Sequence, residues 1–260
     1  MTTAVVMGSC LANMPCAFLV NDFKWQRPNN AAVLRSDHFL RHFIHGEGVL
    51  PEFDSVLARI RWHQGMEQEV RWLRECYRDQ VGHLEVPLDQ PGLFETLSTQ
   101  RIDVVLMDNL HDTHVPMCLY KPKAGEAPHA LPFCLSYCEN ERELTEYYEY
   151  GSPLEPQESV SNWCEIVKFV QEKQPQARII FFAAHSFTFK DHDPERCRRA
   201  VEFYSEFKPL AAELGIDLVP PFELPLDLTR MPEDRDHFDM AVYRGMAGLI
   251  FLKVMAGGAI

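Results

Sequence analysis

Two short motifs near opposite ends of the chain contain residue types that can act on an acyl group. Near the start, the apolar run Ala4–Met7 is followed by Gly8, Ser9 and Cys10, and near the end residues 234–237 read Asp-Arg-Asp-His. A thiolate attacks an acyl carbon, and a neighbouring imidazole can accept a proton and return it to the leaving group. The two motifs therefore predict acyl transfer or ester/thioester cleavage, provided that the fold brings them together.

Each motif residue has an expected role in this chemistry. Cys10 is the expected nucleophile, and His237 is its base and then the acid for the leaving group. Asp234, one helical turn before His237, is expected to fix the tautomer of the imidazole. Backbone N–H groups around Cys10, at the start of a helix, are expected to stabilise an oxyanion together with the side chain of Asn109. Ser9 is the alternative nucleophile.

The elements that must position these groups follow from the apolar runs. The expected strands are residues 4–7, 81–86, 103–107, 178–184 and 217–220. The expected helices are residues 52–77, 159–173 and 194–214, with one more that opens at the Asp-x-x-His motif and continues beyond Asp239. Because the strand runs are continuously apolar rather than alternating, the strands should be covered on both faces, as in a parallel sheet.

This alternation predicts an α/β fold with a doubly wound, mostly parallel sheet of about five strands. We expect a single domain over residues 1–260, with a helical insertion after strand one. Insertions are expected at about residues 23–80 and 113–156. Ligands bind beyond the carboxyl ends of the strands in such sheets. The candidate oxyanion and substrate-binding residues at those strand ends are Gly8, Asn109, Asp108 and His185.

The two end motifs together resemble the SGNH (GDSL-like) hydrolase superfamily. Its first block is Gly-Asp-Ser after strand one, and its last block is Asp-x-x-His. With Gly8 aligned, Cys10 takes the nucleophile position and Ser9 takes the place of the Asp, while Asp234 and His237 match the last block. In this respect the chain is similar to the Gly-Ser-Cys-bearing and capsule-biosynthesis branches. The resemblance implies a three-layer sandwich of the SGNH or flavodoxin-like kind.

The middle blocks of the superfamily match less of the chain. In the Gly-x-Asn-Asp block only Asn109 matches, and Gly92 is the nearest counterpart of the second block's glycine. The resemblance implies a transferase that modifies a small hydroxylated or sugar metabolite, with an acyl-coenzyme A as one candidate donor and no required cofactor. A plain esterase of the superfamily that uses Ser9 is the alternative within this class.

Composition narrows the classes of partner. The formal net charge of −13 argues against nucleic acid and anionic membrane, since both require clustered Lys and Arg. The eight cysteines lack the spacing of a disulfide framework, which favours reduced thiols and a cytoplasmic location. No signal peptide is expected at the N-terminus. The expected partners are a small acyl donor and a hydroxylated acceptor.

Other interpretations of the same residues remain open at this point. Cys10 can be an inert buried thiol, and Asn109 can bond to its own backbone. Asp236 or Asp239 can orient His237 in place of Asp234.

Two further classes of function also remain open. His111 and His114, with His185 nearby, would be the ligands of a metal-dependent hydrolase. A binding protein with a degenerate site is the alternative without catalysis.

Overall fold

The computed structural model describes residues 1–28, 34–46, 58–64, 92–114, 118–121, 123, 130–131, 138–185, 187–224, 228–231 and 234–257. The described strands are β1 (Ala4–Met7), β2 (Val104–Asp108), β3 (Cys118–Tyr120), β4 (Ala130–Leu131), β5 (Tyr148–Tyr150), β6 (Arg178–Phe182), β7 (Asp217–Val219), β8 (Thr229–Met231) and β9 (Asp234–Phe238). The described α-helices are α1 (Cys10–Phe23), α2 (Ser36–Phe39), α3 (Leu93–Thr99), α4 (Leu110–His114), α5 (Glu141–Leu144), α6 (Pro156–Lys173), α7 (Pro194–Glu213) and α8 (Met240–Ala256).

The main sheet has four strands in the order β1–β2–β6–β7, and every pair in it is parallel. Met7 lies opposite Met107, so that β1 and β2 end side by side and the residues after them leave the sheet together. Two antiparallel sheets are described outside this sheet, the three-stranded set β4–β3–β5 and the two-stranded pair β8–β9. The carboxyl edge of the parallel sheet is therefore where side chains from several elements meet.

Alternate residues of the strands face two separate cores. Val5 and Met7 pack on the side covered by α6 and α7, and Ala4 and Val6 pack on the side covered by α1 and α8. All four residues of β1 and all five of β2 are buried. The sheet is thus covered on both faces, which explains why its strands are continuously apolar.

The structure confirms the predicted α/β class, with a parallel sheet between two helical layers. The strands expected near residues 4, 103, 178 and 217 are all present. Helices α6 and α7 match their predictions, and Gly215 follows the end of α7 with a φ of +68°. The strand expected at residues 81–86 lies outside the described residues, so the described part of the sheet has four strands rather than five.

Two secondary-structure predictions were wrong. Residues 58–64, within the helix expected at 52–77, form a turn and an extended segment, because the side-chain amide of Asn140 bonds to the backbone of Arg59 and Arg61. The Asp-x-x-His motif was expected to open a helix, but it lies in β9, and α8 begins only at Met240. Asp239 caps α8 by accepting the N–H of Ala241, which places the helix start after the motif.

In the part of the chain that the structure describes, no helix combines the length and the apolar composition needed to span a membrane.

Candidate functional site

The end of β1 and the end of β2 meet through a buried carboxylate. Asp108 Oδ2 accepts the backbone N–H groups of Ser9 (2.8 Å) and Ala12 (2.9 Å), and its Oδ1 accepts the N–H of Leu110 (3.0 Å). Burial raises the pKa of Asp108, and the hydrogen bonds from Ser9, Leu110 and Ala12 oppose that shift. Asp108 thus binds the start of helix α1, and its predicted role in substrate binding stays a prediction.

Gly8 is required by this arrangement. A Cβ atom at position 8 would lie 2.7 Å from Asp108 Cγ and 2.9 Å from Asp108 N, closer than real Cβ contacts. The carboxylate can approach the start of α1 only because position 8 has no side chain. The glycine that follows strand one therefore has a packing role at the edge of the site.

Ser9 is completely buried and acts as the N-cap of α1. Its hydroxyl oxygen accepts the N–H of Leu11 at 3.0 Å, and its side chain also hydrogen-bonds to Asp108. The Ser9 hydroxyl thus uses both its donor and its acceptor function within the fold, whereas a nucleophile has to face substrate. The structure thus places Ser9 in a capping position next to the candidate nucleophile.

Cys10 is the first residue of α1 and is half-buried. It follows β1 directly, at the carboxyl edge of the sheet, as the sequence predicted. The expected use of nearby backbone N–H groups as oxyanion donors is restricted, because those of Ser9 and Ala12 bind Asp108 and that of Leu11 binds Ser9 Oγ.

Asn109 has a side-chain amide that is only half used by the fold. Its Oδ1 accepts the N–H of Ala184 at 2.9 Å, which fixes the orientation of the amide. Its Nδ2 is buried and has no hydrogen-bond acceptor among the described residues. Leaving a buried donor unpaired costs about 1–3 kcal/mol. An amide donor held in this way, beside the end of β1, is suited to an oxyanion.

A buried ion pair at this edge was not predicted from the sequence. Arg196, in the first turn of α7, is 4% exposed, and its Nη2 donates to Asp236 Oδ1 at 2.5 Å. Its guanidinium carbon lies 3.5 Å from the centroid of the Phe189 ring. Burial lowers the pKa of Arg196, and Asp236, Asp193 and Cys10 act in the opposite direction. Arg196 Nε has no acceptor in the described ranges.

Two histidines lie beside this ion pair. His114 Nδ1 is 3.0 Å from the carbonyl oxygen of Leu110, and its Nε2 is 3.4 Å from Asp236 Oδ1. Burial, reinforced by the charge of Arg196, lowers the pKa of His114 to about 4. Burial also lowers the pKa of His111 to about 3, and the ring bonds to the backbone of Leu34. Both imidazoles are therefore neutral at physiological pH.

Strand β9 brings the late motif to the same region. For Asp236, burial acts to raise the pKa, but the charge of Arg196, and that of His114 at the low pH where its ring is protonated, lower it below its ordinary value. The charge of His185 also acts on Asp236, and the His185 ring lies 4.6 Å from that of Phe238. His237 is half-buried between Asp236 and Phe238 in the strand. Asp236 is thus the motif carboxylate that is seen to contact an imidazole, that of His114.

The expected pairing of Asp234 with His237 assumed one turn of helix. A strand lacks the helical geometry that brings residues three apart onto one face. The catalytic roles of Cys10, His237 and Asp234 remain predictions.

The sequence made His111, His114 and His185 candidate ligands of a metal ion. Within the described ranges, no three His, Cys, Asp or Glu side chains are grouped so that they could hold a metal ion.

Comparisons with known proteins concern the fold only. No protein-family model and no curated protein sequence matches the chain. A GDSL-like lipase from Bacteroides thetaiotaomicron is 10% identical with a TM-score of 0.48, covering 98% of this chain and 89% of that one. An extracellular lipase from Streptomyces rimosus is 10% identical with a TM-score of 0.44, covering 97% and 99%.

A family two carbohydrate esterase from Clostridium thermocellum is also similar, at 10% identity and a TM-score of 0.48, covering 98% of this chain. The chain spans 65% and 63% of the length of two carbohydrate esterase structures that it matches. At these identities and scores, the similarities identify no activity for this chain.

Proposed function

We propose that the protein is an enzyme that transfers or cleaves an acyl group through a covalent thioester on Cys10. His237 takes the proton of the Cys10 thiol, and the sulfur attacks the acyl carbonyl carbon. The bond to the leaving alcohol or thiol then breaks as that group takes the proton from His237. A hydroxyl of the acceptor, or water, attacks the thioester while His237 takes its proton, and the Cys10 sulfur leaves and recovers that proton from His237. Asn109 Nδ2 donates a hydrogen bond to the carbonyl oxygen as it becomes negative.

One observation carries this proposal. The half-buried thiol of Cys10 follows β1, and the amide of Asn109 follows β2, two strands that end side by side. Asn109 Nδ2 has no acceptor among the described residues. A nucleophile and a fixed donor at the same edge of the sheet form the arrangement that acyl chemistry needs. Because Ser9 is used as a helix cap, the proposal assigns the nucleophile to Cys10 rather than to Ser9.

The proposed substrate class comes from the resemblance of the end motifs. We expect a small acyl donor, of which an acyl-coenzyme A is one candidate, and a hydroxylated or sugar acceptor. Hydrolysis of a short acyl ester or thioester is the simplest form of the same chemistry, since water then replaces the acceptor. The assignment of His237 as the base rests on its place in the Asp-x-x-His motif.

The pH dependence of Cys10 alkylation tests the proposal without a known substrate. Iodoacetamide labelling is followed by peptide mass spectrometry in the wild type, in His237→Ala and in Ser9→Ala. Cys16 is a matched internal control on the same helix, because burial raises its pKa to about 11.

We expect Cys10 to react with an apparent pKa well below the roughly 8.5 of a free thiol, and this pKa should rise in His237→Ala. In Ser9→Ala the protein should keep a reactive Cys10 with reduced thermal stability. A Cys10 that reacts no faster than a free thiol, whatever residue 237 is, would refute the cysteine mechanism and favour a binding protein with a degenerate site.

A further inference from the structure

The start of helix α1 is the usual source of positive potential for a nucleophile in the position of Cys10. A helix N-terminus favours a nearby anion through its unpaired N–H groups. Here the N–H groups of Ser9 and Ala12 already have an acceptor in Asp108, whether its carboxyl is ionised or protonated. The acceptor comes from β2, directly beside the helix start. With the N–H of Leu11 bound to Ser9 Oγ as well, three N–H groups at the helix start are not available to a negative sulfur.

A fixed positive charge is present at the same edge of the sheet. Arg196 is almost fully buried, stacks on Phe189 and binds Asp236 through Nη2. On the same side of the guanidinium, Nε has no acceptor among the residues described. Among these residues, a buried guanidinium held by a monodentate carboxylate therefore has one N–H donor that is not used.

A thiolate at Cys10 would raise the pKa of Arg196, as the charges of Asp236 and Asp193 do, so Cys10 lies within electrostatic reach of the guanidinium. Electrostatic interaction between two groups is mutual, so a thiolate that stabilises the Arg196 cation is itself stabilised by it. The neighbouring imidazoles cannot replace this charge, because His111 and His114 are neutral at physiological pH. Among the described residues, the surrounding elements contribute these titratable and charged groups to the region: Asp108, His111, His114, His185, Asp193, Arg196, Asp236 and His237.

We propose that Arg196 is the positioning residue that stabilises the negative sulfur of Cys10, in place of the helix N-terminus whose N–H groups Asp108 occupies. Asp236 and Phe189 fix the position of the guanidinium, and the negative charge of Asp236 partly compensates its positive charge. This inference rests on the proposed role of Cys10 as nucleophile. Arg196 would add a residue from α7 to a site whose other proposed residues lie at the start of α1, after β2 and in β9.

Substitutions of Arg196 test the proposal through the reactivity of Cys10. Iodoacetamide is uncharged, so its rate of reaction reports the thiolate fraction and not attraction of the reagent to the site. In Arg196→Gln the apparent pKa of Cys10 should rise by about one unit, which lowers its alkylation rate at pH 7 about tenfold. Arg196→Lys keeps the charge and should stay within a few-fold of the wild type. Arg198→Gln is the matched control, since Arg198 pairs with surface carboxylates two residues further along α7.

Asp236→Asn should shift the apparent pKa of Cys10 in the direction opposite to that of Arg196→Gln. Removing this carboxylate leaves the charge of Arg196 less compensated, so the apparent pKa of Cys10 should fall below the wild-type value. A purely structural role for the ion pair predicts that Asp236→Asn and Arg196→Gln change Cys10 in the same direction. Circular dichroism and the alkylation rate of Cys164, a half-buried thiol on α6, check that each variant is folded.

The outcomes separate this inference from the proposed function. If wild-type Cys10 behaves as an ordinary thiol, the nucleophile assignment fails and the role of Arg196 fails with it. If Cys10 is activated and responds to His237→Ala, but its pH profile is unchanged in folded Arg196→Gln, only the inference about Arg196 is overturned.

Discussion

The carboxylate of Asp108 uses hydrogen bonds that the start of a helix would otherwise offer to an external anion. It does so from β2, at 2.8 and 2.9 Å from two N–H groups of the segment that contains Cys10. At this scale the site is defined by which donors the fold has already used and which it has not. The N–H groups of Ser9, Leu11 and Ala12 are used, and Asn109 Nδ2 and Arg196 Nε are not used within the described residues.

Gly8→Ala tests the close approach of Asp108 to the N-terminal segment. The added methyl group would overlap the carboxyl group, which three backbone N–H groups hold in place. We expect a loss of about 1–3 kcal/mol in the free energy of unfolding, measured by urea denaturation. Combining it with Asp108→Ala should cost less than the sum of the two single changes, because the second change removes the overlapping carboxyl atoms and leaves only the close backbone N of residue 108. If the losses in the two single variants simply add in the double variant, a contact between position 8 and the Asp108 carboxyl group is contradicted.

The residue types of the site could be predicted from the sequence better than their partners. Cys10 and Asn109 stand at the strand ends where apolar runs placed them. Arg196 was missed because its contact with Asp236 joins residues 40 positions apart on different elements. The one available signal was local, since Asp193 and Pro194 mark a helix start and so place residue 196 in its first turn.

At the scale of elements, helix α8 shows how position decides the effect of a glycine. Gly245 lies within the helix, and a Cβ there would meet nothing within 4 Å, whereas Gly257 ends the helix with a φ of +65°. Gly245→Ala should raise the free energy of unfolding by about 0.5–1 kcal/mol, because alanine reduces the freedom of the unfolded chain. Gly257→Ala should lower it by about 1 kcal/mol because of strain. Thermal melting of the two variants measures both changes. Equal shifts of the melting temperature would contradict the different roles of Gly245 and Gly257.

Helices α6 and α7 and the parallel strands were the elements that sequence could predict, whereas the periodic segment at residues 52–77 was predicted wrongly over 58–64. The apolar spacing of α6 and α7 and the continuous apolar runs of the parallel strands determine them locally. The strand at β9 was predicted as helix because the apolar spacing after Met240 was extended backwards over the motif. Its pairing with β8 depends on a partner strand rather than on local propensity, so the motif's own residues carry no clear signal for it.

At the scale of the molecule, Asp112 links α4 to two other parts of the chain. Its carboxylate accepts hydrogen bonds from Ser36, Ser159 and the indole N–H of Trp163. Burial raises its pKa to about 6, although these hydrogen bonds favour the ionised form. The folded state therefore binds a proton at this position more tightly than the unfolded chain, whose carboxyl has a pKa near 3.8.

The sign of the resulting pH dependence follows from proton linkage. Stability contributed by this group is fully present below pH 4 and is lost as the pH rises through about 6, by about 1.4 kcal/mol for each unit of pKa difference. The free energy of unfolding of the wild type, relative to Asp112→Asn, should fall over this interval. Ser159→Ala removes one donor and should move the fall to higher pH. If the difference in the free energy of unfolding between the wild type and Asp112→Asn does not change between pH 4 and 7, the raised pKa of Asp112 is contradicted.

The hydrogen bonds that build the candidate site also constrain how the chain can fold. Asp108 reaches Ser9 and Ala12 across 99 and 96 residues, and Asp112 reaches Ser36 across 76. Contacts of such high sequence separation slow folding, since a large loop must close before they form. During synthesis at about 5–20 residues per second, Ser9 would wait on the order of 5–20 s before Asp108 is made. The thiol of Cys10 is therefore exposed without its native surroundings for that period, and its labelling in nascent chains would time the closure of the sheet.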